Sequence, residues 1–373
     1  MATLVSIVVP GTATPVSAAT TTGNLACAQS IVATWPLTQL ANETIVVPVN
    51  AMNIGSMGPE ARAGFGGLLL LGATAPATLS TVLAKLQSLT PEKYSMMVMT
   101  DEEGGGVERL TNVVGTFPWA QTMGKNLTPG QITAIGLRIG TALNAVGVNT
   151  DLAPVLDVDG RAQYPGEANP DGYRSFSGAA AVAAADGTAF MTGLAQANET
   201  SVVKHFPGLG GSTRNTDYGP ARTLAWSALQ KSGLIPFERA IAHGATAVML
   251  SNASVPGLTP LPSSISPAVV NELRHVLGFQ GLIVTDSLGA GALSALHLSV
   301  SAAAVKALEA GADQVLYGPA AAPVPTLAAA NLVASAIVNA VNAGTLSRAT
   351  LSAAAAQVLA ARNTLSCPAV PVS

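Results

Sequence analysis

The sequence predicts an α/β fold, a single (β/α)8 TIM-type barrel with extra C-terminal helices, and three observations carry that expectation. Eight short runs are continuously apolar rather than alternating, the pattern of parallel strands covered on the outer face. Helix-like segments separate most of them, and eight strand–helix units are what a closed barrel of this kind requires. Several runs end in charged side chains, which a barrel would gather on the face at the carboxyl ends of its strands. A doubly wound open sheet is the structural alternative, ranked second by the strand count.

Residues 1–30 read as an N-terminal segment. Met1 to Ala19 is apolar and uncharged and ends in Val16-Ser17-Ala18-Ala19, which resembles a small-residue cleavage site. It lacks a basic start and its apolar run breaks at Pro10, so it suggests a trimmed export signal rather than a membrane anchor. Asn24-Leu25-Ala26 before Cys27 is a poor lipoprotein acylation box.

The barrel domain is expected over residues 31–373. Trp35-Pro36-Leu37 leads through a short helix to the first strand at 44–49. Further strands are expected at 67–71, 95–100, 150–158, 201–204, 247–250, 282–285 and 314–317. Between them, helices are expected at 77–89, 129–146, 180–197, 225–243, 267–277 and 299–310. The tail from 327 to 363 reads as two Ala-rich helices separated near Gly344, packed on the barrel, with no second domain.

Composition narrows the function. Charged residues make up 10% of the 373, far below the roughly 25% usual in soluble domains; Ala and Gly take their place, which implies close packing. A net charge of −3 provides no basic field for nucleic acid and no polybasic patch for a membrane surface. Mean hydropathy is +0.43, yet every apolar run is interrupted before the ~20 residues an integral membrane span needs. Four scattered histidines make a metal site improbable, and no nucleotide, serine-esterase or zinc-protease motif occurs. The two cysteines, Cys27 and Cys367, lie near opposite ends. They read either as a disulfide tying the termini together in an oxidising compartment or as two unrelated thiols.

Chemistry concentrates at the strand ends. The run at 201–203 feeds directly into Lys204 and His205, followed by Gly208, Gly210 and Gly211, glycines that let a loop turn tightly and move. Asp101, Asp157 and Asp286 each end another apolar run. A carboxylate at the end of a buried strand is costly unless paired, so structural salt bridges are the alternative for any one of them. Gly208-Leu209-Gly210-Gly211 is only a fragment of a dinucleotide fingerprint. Lys204 as a Schiff-base amine in a lyase or aldolase is a more distant reading.

Five segments in order, Asp101-Glu102-Glu103-Gly104-Gly105, Ala153-Pro154-Val155-Leu156-Asp157 with Arg174-Ser175-Phe176, Lys204-His205-Phe206-Pro207-Gly208, Pro262-Ser263-Ser264-Ile265-Ser266 and Thr285-Asp286-Ser287-Leu288, resemble glycoside hydrolase family 3. The nearest branch looks like the bacterial β-N-acetylglucosaminidases that act on cell-wall fragments. The resemblance covers roughly residues 35 to 365. It implies that Asp286 is the nucleophile of a retaining glycosidase and that Asp101, Arg109, Arg174, Lys204 and His205 hold a terminal β-linked N-acetylglucosamine or glucose. No metal or organic cofactor is implied.

Two departures stand out. Where that branch usually carries Asp-Ser-His, whose His is the acid/base, this chain reads Asn215-Thr216-Asp217, and the Arg expected after Glu-Gly-Gly is Gly106. Asp217 is therefore the candidate acid/base. An aspartate must be desolvated when the loop closes if it is to hold a proton near neutrality, which implies an acidic pH optimum. The alternatives are a β-glucosidase of the same family and a weak or inactive glycan-binding homologue. Location is expected to be secreted or at the cell envelope, with the cytoplasm as the alternative; oligomeric state is not legible.

Overall fold

The computed structural model describes residues 18–91, 94–318 and 327–362. Eight parallel strands form one sheet: β1 (Ile45–Asn50), β2 (Gly67–Leu71), β3 (Met97–Thr100), β4 (Thr150–Asp151), β5 (Thr200–Phe206), β6 (Ala247–Leu250), β7 (Leu282–Thr285) and β8 (Val315–Leu316). β1 pairs with both β2 and β8, and a parallel bridge between Val284 and Gln314 brings β7 onto β8 and rounds off the barrel.

Strand alternation sorts the apolar residues into two layers. Val46, Leu69, Met97, Met99, Val202, Met249 and Val284 fill the barrel interior, while Val47, Leu68, Leu70, Val98, Val203 and Val248 face the surrounding helices. The low charge content has its counterpart in how closely those helices approach. Between Pro129–Val146 and Ala180–Gln196, a Cβ on Gly136 would lie 2.4 Å from the Phe190 carbonyl oxygen. Only a residue without a side chain fits there.

Two expected elements differ from what forms. The run at 150–158 is a strand over its first two residues only; Pro154 has no N–H to donate to a ladder, and beyond it a single bridge joins Val155 to Lys204. The helix expected at 225–243 divides into Trp226–Leu229 and Ile235–Ala242, because Pro236 opens the second helix and cannot continue the first.

Both tail helices form, Leu327–Asn342 and Arg348–Ala361. Val358 of the second joins the interior cluster, and buried Arg362 pairs with Glu43 at 2.5 Å. Since Glu43 lies just before β1, this helix covers the amino end of the barrel. The opposite end is left to carry the site.

Candidate active site

Asp101, Lys204, His205 and Asp286 stand at the carboxyl ends of β3, β5 and β7, and with Arg109, Arg174 and Asp217 they line one cavity of about 570 Å³. All seven residues singled out in the sequence are thus brought together. A more apolar cavity of about 400 Å³, lined by Leu261, Leu296 and Lys306, contains none of them.

The cations are held by carboxylates. Lys204 Nζ lies 2.6 Å from both Asp101 Oδ1 and Glu103 Oε1. Arg174 grips Glu103 with two nitrogens, Nε at 2.7 Å and Nη2 at 2.8 Å, the bidentate geometry that fixes a guanidinium in plane. Arg109 sits farther out, 3.7 Å from Asp101 Oδ2. Burial alone would raise the Glu103 carboxyl, but Arg174 and Lys204 outweigh it and hold it well below the usual range.

His205 is positioned from behind. Its Nδ1 is 2.7 Å from Asp157 Oδ2, and Asp157 also accepts from the Leu209 N–H at 2.5 Å and the His205 N–H at 3.3 Å. Burial first, then the neighbouring Arg174 charge, lowers His205 to about 4. The ring is therefore neutral, with its proton on Nδ1 toward Asp157 and Nε2 left as an acceptor. Burial raises Asp157 to about 6, and burial, then the neighbouring Asp157 charge, raises Asp171 well above the carboxylate range. Atoms of Asp157, Asp171 and His205 lie within 4.8 Å of one another, a spacing that could hold a cation. In that set Asp157 and His205 already bond to each other, and Asp157 also to the Leu209 N–H.

Neighbours on a strand ordinarily point to opposite faces, yet Lys204 and His205 both line the cavity; the peptide bond between them is cis.

Asp286 follows β7 and accepts the Ser287 N–H at 2.6 Å. Burial raises its pKa; the nearby Asp217 adds to that push, while the Lys204 cation opposes it. The segment after it is braced by Asn252, which donates to the Ser287 carbonyl at 2.7 Å and accepts from Ser264 Oγ at 2.6 Å. That is the part played here by Pro262-Ser263-Ser264-Ile265-Ser266.

The glycine-rich loop expected to move is tied down on two sides. Gly291 N–H donates to the Asp217 carbonyl at 3.0 Å, Ala292 N–H to Thr216 at 2.9 Å, and Asn215 N–H to Glu167 at 2.8 Å. Arg214 also pairs with Glu167. The exposed Asp217 side chain is left on the cavity wall.

Glu103 and Asp171 were not singled out as site residues, and Asp157 only as a carboxylate at the end of an apolar run. Glu103 had a signal, since it stands two residues after Asp101 on an extended hairpin and so shares its side. Asp171 had none. Gly106 has a steric reason: a Cβ there would lie 2.7 Å from the Trp119 ring, so an arginine has no room. Cys27 lies in the helix Ala18–Val32; Cys367 falls outside the described residues, and the proposed bridge with it.

Known proteins place this arrangement. The "Beta-hexosaminidase LpqI" of Mycobacterium tuberculosis is 33% identical over 232 residues, covering 60% of this chain but only 58% of that protein's length. An "Uncharacterized secreted glycosyl hydrolase" of Arthroderma benhamiae is 32% identical over 264 residues, 67% of this chain and 72% of that one. The crystal structure of a beta-N-acetylhexosaminidase from Beutenbergia cavernae superposes with a TM-score of 0.76 at 29% identity, covering 88% of this chain and 98% of that one. Residues 61–361 match the family described as "Glycosyl hydrolase family 3 N terminal domain". With the match spanning most of the barrel and the strand-end residues gathered in one cavity, this chain belongs to glycosyl hydrolase family 3.

Proposed function

We propose that the chain is a retaining, exo-acting β-glycosidase that removes terminal N-acetylglucosamine from β-linked glycans such as cell-wall fragments. One observation supports this above all: Asp286, Asp217 and five sugar-binding candidates line a single cavity, of a size that encloses a small ligand. The names of the similar hexosaminidases support N-acetylglucosamine over glucose.

In the first step the Asp286 carboxylate attacks the anomeric carbon. The glycosidic C–O bond breaks, and Asp217 gives its proton to the departing oxygen. Water then attacks the same carbon, Asp217 takes its proton, and the Asp286–carbon bond breaks, so configuration is retained. Lys204 and Arg174 donate to ring hydroxyls and favour the ionised nucleophile, while His205 Nε2 accepts a hydroxyl proton. Similarity to a relative named as secreted supports export, and a Cys27–Cys367 bridge fits an oxidising compartment.

The test is turnover of paired aryl β-N-acetylglucosaminide and aryl β-glucoside by wild type and Asp286→Ala. Cleavage of the first, reduced on the order of 10⁴-fold or more in the variant, is the expected result. Preference for the glucoside would reassign the sugar. An inert wild type on activated substrates would leave a glycan-binding homologue.

A further inference from the structure

Among the described residues, two aromatic side chains are strongly exposed, Tyr164 at 70% and Tyr218 at 60%, and both belong to the loops that frame the cavity mouth. Tyr218 lines the cavity next to Asp217, and Pro165 and Gly166 beside Tyr164 line it from the other loop. Those loops are joined by the Asn215–Glu167 backbone hydrogen bond and the Arg214–Glu167 ion pair.

The Tyr164 ring is exposed but not loose. It meets Tyr173 edge-on, with centroids 5.0 Å apart, and Trp119 at 6.0 Å. Trp119 in turn packs on Gly105 and Gly106, where no Cβ would fit. A tyrosine held in place by other rings can cover a ligand without losing much side-chain entropy on binding.

We propose that Tyr218 and Tyr164 form a subsite for the leaving group and that its occupant is a second, uncharged pyranose of a β-linked oligosaccharide. This rests on Asp217 as the acid: a group that protonates the leaving oxygen stands on the leaving-group side, and Tyr218 is its neighbour. A β-linked pyranose presents C–H faces that pack on aromatic rings, with hydroxyls free for water at the rim. An anionic, peptide-bearing leaving group finds a poorer match. Arg214, in the loop that carries Asp217, is already paired with Glu167, Arg109 on the cavity wall faces Asp101 at 3.7 Å, and Asp217 adds negative charge.

The experiment compares kcat/KM for three substrates: a β-1,4-linked N-acetylglucosamine disaccharide, the same sugar carrying a muramoyl peptide, and β-N-acetylglucosaminyl fluoride, whose leaving group fills no subsite. Wild type should prefer the disaccharide to the muramoyl peptide. Tyr164→Ala and Tyr218→Ala should each lower the disaccharide value about tenfold more than the fluoride value, and Tyr218→Phe should keep the ring and the activity. Equal losses on disaccharide and fluoride, or a wild-type preference for the muramoyl peptide, would overturn the subsite while leaving the glycosidase reading intact. A wild type inert on the fluoride would overturn both.

Discussion

Lys204 Nζ and Glu103 Oε1 are 2.6 Å apart, with side chains only 3% and 2% exposed, and the same carboxylate holds Arg174. Glu103 is thus the common anchor of the two innermost cations of the site. Glu103→Gln would leave buried Arg174 without its carboxylate and Lys204 with Asp101 alone, and removing one member of such a set costs about 3–5 kcal/mol. Denaturant unfolding should show a loss of that size together with a raised KM. A variant as stable as wild type would refute the anchoring role.

Asp217→Ala should separate substrates by leaving group. Glycosides that need protonation should slow by roughly 10²–10⁴-fold, whereas dinitrophenyl glycosides should keep most of their first step. Burst kinetics would read this directly, because without the base the second step becomes limiting. Uniform loss on both classes would assign Asp217 a structural part instead.

The pH profile follows from Asp286 and His205. Burial raises Asp286, and the nucleophile must be ionised, so the acid limb of kcat/KM should lie above the ordinary aspartate value. Protonating His205 at about 4 turns its Nε2 from acceptor to donor and steepens the same limb. Activity undiminished at about pH 3 would contradict both assignments.

Stability should fall on the alkaline side. Burial raises Glu102 from 4.5 to about 8 and Glu199 from 4.5 to about 10. Between the unfolded and folded values the folded chain binds more protons, so the contribution is full below about 4.5 and fades as pH rises through the folded values. The melting temperature should be higher at about pH 5.5 than at about pH 9. Glu199→Gln should flatten the slope, and an unchanged slope would exclude Glu199 as a cause.

Much of the fold could be read from the sequence because barrel strands are uninterrupted apolar runs. β2, β6 and β7 occupy the residues expected, whereas β4 shrinks at Pro154, where a polarity pattern says nothing about missing donors. In the site, residues that face a ligand were found at strand ends. Those that face other side chains were harder to see: Arg174 meets Glu103 across 71 positions of chain and His205 meets Asp157 across 48, contacts that exist only once the barrel closes. Gly106 became intelligible only with Trp119 beside it.

The carbonyls of Thr216 and Asp217 receive the N–H groups of Ala292 and Gly291, so main-chain atoms set where position 217 stands. A main-chain tether is indifferent to what the side chain is. If position 217 is the proton donor proposed above, exchanging Asp for His there would alter its pH range without rebuilding the loop that carries it.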